Sequence, residues 1–273
     1  KKVVFENCDI TDFRHINSII VKNEIDFVFH IAAQAIVDTA YYNPLETINS
    51  NVMGTSNILE SCRLYGKVEG ILVTSTDKVY GKLPRVDEEK PISGDHPYEV
   101  SKTSADLIAR AYFKTYRLPV VVTRFGNVYG EGDLNFSRII PGIMKSLIKG
   151  ETLMIRSNGK YVRDYVYVKD VVDATLSLAQ NIKSVKGDAF NISSQENLSV
   201  IEVIKRIEEI LKVKIKRIKR REKMMLSICE LLKLEFSIFF EDFCPQVQLL
   251  SFHGIPICVR LMTSCPGWRL FAP

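Results

Sequence analysis

The first glycine of this 273-residue chain is Gly54. The opening segment therefore lacks a G-x-x-G-x-x-G turn, whose backbone amides would hold a diphosphate at a helix N-terminus. No Met precedes Lys1-Lys2-Val3-Val4-Phe5-Glu6, and no apolar run ends in small residues. We expect no secretory leader and a chain that begins inside a longer protein. The six cysteines (Cys8, Cys62, Cys229, Cys244, Cys258, Cys265) form no C-x-x-C pair, and the four histidines are scattered. This excludes the common zinc patterns and a disulfide framework, so free thiols, a cytoplasmic location and no metal are expected. Long apolar runs are also missing: Met224 to Phe240 is broken by Glu230, Lys233 and Glu235, too polar for a membrane span.

What is present is ordinary globular material, 46% hydrophobic and 25% charged, which excludes disorder. The formal charge of +5 is local: Lys212 to Lys223 carries +7, leaving the rest at −2. We read that basic run as a solvated segment and expect neither a nucleic acid nor a membrane as partner. Short apolar runs alternate with longer amphipathic ones, the pattern of βα units and a parallel sheet. Phe27 to Ala33, Gly70 to Ser75 and Pro119 to Arg124 read as buried strands. Helices are expected around Phe13, Ile16, Ile19 and Ile20, around Val52 to Cys62 with Gly66 closing the turn, and from Pro97 through Tyr112. Further on, strands are expected at Thr152 to Arg156, Val162 to Val168 and Ala189 to Ser193. Helices are expected at Ile139 to Lys149 and from Ser199, where Ser199 and Glu202 make a capping box. The expected fold is a doubly wound parallel α/β sheet (Rossmann type) lacking its first strands. Residues 1–135 form the nucleotide-binding domain, 136–216 a smaller substrate lobe and 217–273 an atypical tail with no consistent period.

Chemistry concentrates at Tyr98 and Lys102, four apart near a helix start and so on one face. An ammonium beside the phenol would lower the Tyr98 pKa and make it a general base. The segment Thr74-Ser75-Thr76-Asp77-Lys78-Val79-Tyr80-Gly81 stands at the C-terminal end of an expected strand, where ligands of open α/β sheets bind.

These segments, with Arg124-Phe125-Gly126-Asn127-Val128-Tyr129-Gly130 and Arg163-Asp164-Tyr165-Val166-Tyr167-Val168 followed by Asp170, resemble the extended short-chain dehydrogenases/reductases, the NAD-dependent epimerase/dehydratase family. The resemblance covers Val3 to Val213. Thr76-Asp77 is similar to the sugar-nucleotide 4,6-dehydratases, and Lys78, with the wording around Tyr98 and Asn127, is most like CDP-glucose 4,6-dehydratases. It implies NAD as cofactor, a nucleotide-sugar substrate and a homodimer formed through helices Asn49 to Tyr65 and Pro97 to Tyr116. It implies Tyr98 as the base at the sugar 4-hydroxyl with Thr76 on the same oxygen, and Asp77 as a protonated acid for O6. Lys78, its pKa lowered by burial and by nearby Lys102, is implied as the C5 base or the group that positions it. Cofactor contacts are implied at Asp9 and Ile10, expected to end a strand, at Ala32, Ala33 and Gln34, and at Thr74, Tyr98 and Lys102. Asn127 and Arg163 are implied at the substrate, Arg163 as a guanidinium clamp on its diphosphate, with Arg138 and Arg156 as further candidates for that role. Without the glycine loop, we expect this chain as given to bind NAD poorly. The alternative readings are a 4-epimerase, another dehydratase or an inactive fragment.

Overall fold

The computed structural model describes residues 3–83 and 86–219, and the strands Leu249–Phe252 and Ile255–Cys258. Residues 1–218 form one compact unit and 219–273 a second. In the first unit, strands β1 (Phe27–His30), β2 (Gly70–Thr76), β3 (Val120–Phe125) and β7 (Ala189–Ile192) make a parallel sheet in the order β1-β2-β3-β7. Alternate residues of these strands serve opposite faces, as the period of a pleated strand requires. Ile71, Val73, Val120 and Val122 pack with Ile58, Leu59, Cys62 and Ala109 of helices α4 (Gly54–Tyr65) and α5 (Pro97–Tyr116). Leu72 and Val121 face the other way, onto Leu178 and Ala179 of α7 (Val168–Gln180) and onto Ile182 and Val185 of the short α8 (Ile182–Val185). Helices on both faces make the sheet doubly wound.

Helix ends follow local chemistry. Asp12 accepts from the His15 N–H at the start of α1 (Phe13–Lys22). Gly66 ends α4 at φ 72°, a left-handed cap that L side chains resist. Gly54 answers a different demand, since a Cβ there would lie 2.5 Å from Cδ1 of Ile10. Just before it, Asn49–Met53 is a π-turn, so the helical path extends upstream of α4.

Three expectations change. The expected lobe 136–216 is not a separate body, because its strand β7 is the fourth strand of the main sheet and joins β3. It does have a core of its own: Ile143 of α6 (Ile139–Lys149) and Val203 and Ile204 of α9 (Val200–Leu211) enclose Ile215 and both ends of β5 (Leu153–Ile155). Ser199 and Glu202 cap α9 reciprocally. Beside this core β6 (Val162–Tyr167) pairs in parallel with β4 (Asn127–Tyr129) and antiparallel with β8 (Asn197–Ser199). Second, Asp9 and Ile10 end no strand: Val3, Val4 and Phe5 are exposed and have no ladder partner, so the first strand is β1. Third, α7, which with α8 packs on one face of the sheet, has no counterpart in the expected elements. Most of the expected tail lies outside the described residues. Within them its unit contains the antiparallel hairpin Leu249–Phe252 with Ile255–Cys258.

Candidate active site

The C-terminal ends of β1, β2 and β3 bring His30, Thr74 to Thr76 and Phe125 to one rim, where the sheet leaves ligand space. Leaving β2, Thr76 caps a single 3₁₀ turn, Asp77–Tyr80, its hydroxyl accepting from the Lys78 N–H at 3.3 Å and donating to Asp77 Oδ1 at 3.0 Å. Lys78 Nζ donates to both Asp77 oxygens at 2.8 and 2.7 Å, and the two side chains are 28% and 32% exposed. Neither side chain is buried, so the dry setting expected for this pair is not found. Both carboxylate oxygens accept from the ammonium, an arrangement of carboxylate with cation.

Helix α5 begins with Pro97, whose missing N–H costs nothing at the first turn. Tyr98 and Lys102 lie one turn apart on it. Lys102 is 6% exposed and donates to the Thr74 carbonyl at 2.5 Å. Burial pushes its pKa down to about 8, against the opposing pull of Asp106. Burial likewise raises the Tyr98 phenol, with the Thr76 hydroxyl and the Arg138 cation pulling it back. The expected lowering of Tyr98 by Lys102 is therefore not found: that ammonium points its proton at a β2 carbonyl, and desolvation of the phenol prevails.

Sequence reasoning missed the polar layer behind these groups. His30 is buried, its Nε2 2.9 Å from Thr55 Oγ1, while the Thr55 hydroxyl donates to the Asn51 carbonyl at 2.6 Å. With the Thr55 proton engaged there, His30 Nε2 must carry the other, leaving Nδ1 as a bare lone pair with no partner. Burial and then Lys102 hold its pKa down to about 4. Asn51 Oδ1 accepts from the Gln34 N–H at 2.8 Å, and its Nδ2 donates to the Gln34 carbonyl and to Ser101 Oγ at 3.0 and 2.9 Å. One turn further along α5, Asp106 accepts from Nε and Nη2 of Arg124 on β3, whose Nη1 donates to the Tyr80 phenol at 2.6 Å. A cation inside the β-branched run Val120 to Phe125 was the signal that could have found it.

The residues present fit a nicotinamide dinucleotide. Lys102 is a buried cation whose one protein acceptor is the Thr74 carbonyl, so its remaining N–H groups suit a vicinal diol. Ala32, exposed, and Ala33 and Gln34, partly so, offer a low rim at the end of β1. Asp9 is exposed and engaged by Thr11, whose N–H and hydroxyl hold its carboxyl below the usual range, while Ile10 packs on Gly54.

Of the expected substrate residues, the structure brings two together. Asn127 and Arg138 line a cleft of about 130 Å³ with Tyr129, Asp133 and Tyr165. Arg138 donates to Asp133 at 2.8 Å and to the Val128 carbonyl, and Asn127 donates to the Asp164 carbonyl at 3.1 Å. Arg156 stands apart in an exposed pair with Asp38 at 3.4 Å. Arg163 is exposed too, donating to its neighbour's carbonyl and lying over the Tyr161 ring. Neither lines the cleft.

Known proteins resemble this chain in sequence and in fold. The model of the NAD dependent epimerase/dehydratase family matches residues 1–193. The dTDP-glucose 4,6-dehydratase of Escherichia coli is 34% identical over 227 residues, covering 76% of this chain and 62% of that protein. A trifunctional UDP-glucose 4,6-dehydratase/3,5-epimerase/reductase of Arabidopsis thaliana is 32% identical over 212 residues, 74% of this chain and 31% of that one. The chain thus spans between about a third and two thirds of the length of these curated relatives. Among solved structures, dTDP-glucose 4,6-dehydratase from Bacillus anthracis with NAD superposes with TM-score 0.69 at 30% identity, covering 80% of this chain and 68% of that one. UDP-glucose 4-epimerase from Thermotoga maritima with UDP-glucose gives 0.71 at 29%, covering 81% and 72%.

Proposed function

Since this chain belongs to the NAD dependent epimerase/dehydratase family, we propose that it is the catalytic part of an NAD-using nucleotide-sugar 4,6-dehydratase. The observation that carries this reading is the acid beside the threonine: Asp77 accepts from Thr76 at 3.0 Å on a rim shared with Tyr98 and Lys102. NAD, when bound, would supply a reversible hydride acceptor for the sugar. Tyr98 takes the proton of the 4-hydroxyl, with Thr76 hydrogen-bonding the same oxygen. The 4-ketone so formed acidifies C5–H. Asp77 then delivers a proton to O6 as water leaves. To do so it must first take a proton from the Lys78 ammonium it pairs with, and the neutral amine so formed is the group placed to take the C5 proton. Lys102 holds the cofactor's ribose diol, and Arg138 with Asn127 receives the diphosphate end of the substrate.

The finer proposal is CDP-glucose, favoured by Lys78 beside Asp77; the relatives named above act on dTDP- and UDP-glucose by their names. Incubating a full-length version that carries the glycine loop with NAD and each nucleotide sugar tests both levels. A 4-keto-6-deoxy product is expected, fastest from CDP-glucose. The T. maritima likeness supports a second reading, 4-epimerisation. C4 inversion without loss of water would establish it and overturn ours. We further propose a cytoplasmic homodimer paired through α4 and α5, where Leu64 and Leu107 are 55% and 50% exposed. Sedimentation as a monomer would count against the dimer.

A further inference from the structure

Among the described residues three charged side chains are buried: Lys102, Asp106 and Arg124. One carboxylate therefore answers two cations, in an interior where an uncompensated charge is costly. Asp106 lies four residues after Lys102 on α5, on the same helical face. It accepts from Arg124 Nε at 2.9 Å and Nη2 at 3.0 Å, a bidentate pair with both side chains fully buried. The spare Nη1 of Arg124 reaches Tyr80, which closes the turn bearing Asp77 and Lys78. Tyr80 in turn donates to Asn191 Oδ1 of β7 at 2.8 Å. The pair thus joins both halves of the candidate active site from behind.

We propose that Asp106 is a positioning residue: it supplies the single buried negative charge facing Lys102 and, through Arg124 and Tyr80, clamps α5 to β3 and to the turn that carries Asp77 and Lys78. The inference rests on the dehydratase reading only for its meaning in turnover. Other groups around Lys102 cannot replace it. From β1 comes His30, held neutral by burial. The carbonyl of Thr74 comes from β2. On α5 itself Tyr98 is a buried phenol. The Asp77 carboxylate in the neighbouring turn is taken by Lys78. Asp38 of α2 (Val37–Tyr42) and Glu46 of α3 (Pro44–Ile48) are exposed, and Glu60 of α4 is engaged by Arg63 and Tyr112.

The test is an NMR titration of the Lys102 side chain, assigned by its loss in Lys102→Met, in the wild type, in Asp106→Asn and in Asp106→Asn/Arg124→Met. The double variant removes both charges of the pair and so tolerates loss of the carboxylate. With the wild-type near-ultraviolet spectrum kept, the Lys102 midpoint should fall by about one pH unit or more in Asp106→Asn, and by less in the double variant, which also loses the like charge of Arg124. An unmoved midpoint in a folded variant overturns the proposal. Tyr80→Phe keeps all charges and cuts one link of the clamp: the Lys102 midpoint should stay while the Lys78 signals move, and unmoved Lys78 signals overturn the clamp. A displaced Lys102 midpoint together with a full-length version that binds NAD yet forms no 4-keto-6-deoxy sugar would sink the dehydratase reading and leave this inference standing.

Discussion

The site has an inner and an outer lysine, and they are held in opposite ways. Lys102 is 6% exposed, gives one proton to a carbonyl, and shares Asp106 with Arg124. Lys78 is 28% exposed and is engaged by both oxygens of its neighbour Asp77. The inner cation is fixed by sheet and helix together; the outer one sits in a single turn with water at its side. The inner half therefore has the rigidity needed to orient a cofactor, and the outer half can exchange partners during proton transfer.

The sharpest way to break this comparison is at Tyr98, which links the halves. Tyr98→Phe removes the proton acceptor and keeps the ring's packing, so turnover of nucleotide sugar should fall by about 10² to 10⁴. Assay of 4-keto product checks this, and a loss under tenfold would place the base elsewhere. Asp77→Asn acts on the outer half alone: exchange of the C5 hydrogen with solvent should continue while water loss stops. Equal loss of both, read by deuterium incorporation and product mass, would reject Asp77 as the acid.

The inner half should instead be visible in stability against pH. The Lys102 pKa falls to about 8 in the folded protein. The unfolded chain therefore binds more protons above that value, and stability rises as pH climbs from about 8 towards the free lysine range. His30, brought to about 4, has the same sign lower down, so its contribution is lost as pH falls from about 6.5 to 4. Each effect is a few kcal/mol at most, since a tenfold difference in proton affinity between folded and unfolded chains amounts to about 1.4 kcal/mol. Urea midpoints across pH should show both slopes, with Lys102→Met abolishing the alkaline one and His30→Gln the acid one. The smallest effects belong to the arginines. Arg138→Ala, inside the cleft, should raise KM about tenfold, the loss of one hydrogen bond to a charged group, while Arg156→Ala and Arg163→Ala change KM little. A larger KM change at Arg163 would restore it as the diphosphate clamp.

The strands and principal helices of the main sheet were legible because their apolar runs are short, β-branched and bounded by turn residues. Tyr98, Lys102, Thr76 and Asp77 were legible as a set because each stands at a strand end or a helix start. Helix α7 was hidden, since its apolar positions follow directly on strand β6 without a breaker. The pairing of Asp77 with Lys78 could not be read from type and spacing. It depends on which partner each side chain meets in space, and that neighbour is one residue away where the resemblance pointed to burial. Charge alone points to Arg163 and Arg156, but Arg163 is exposed on β6 and Arg156, just past the end of β5, pairs with the exposed Asp38.

Asn51 has a consequence for exchange with solvent. Its carboxamide both accepts from the Gln34 amide and donates to the Gln34 carbonyl, the two bonds that a neighbouring strand would make. Residue 34 lies in irregular chain beyond β1, where amides ordinarily trade hydrogen for deuterium quickly. Here one buried side chain takes the place of a ladder. The Gln34 amide should exchange on the slow clock of the sheet, and the rim that faces the cofactor should open only when helix and strand open together.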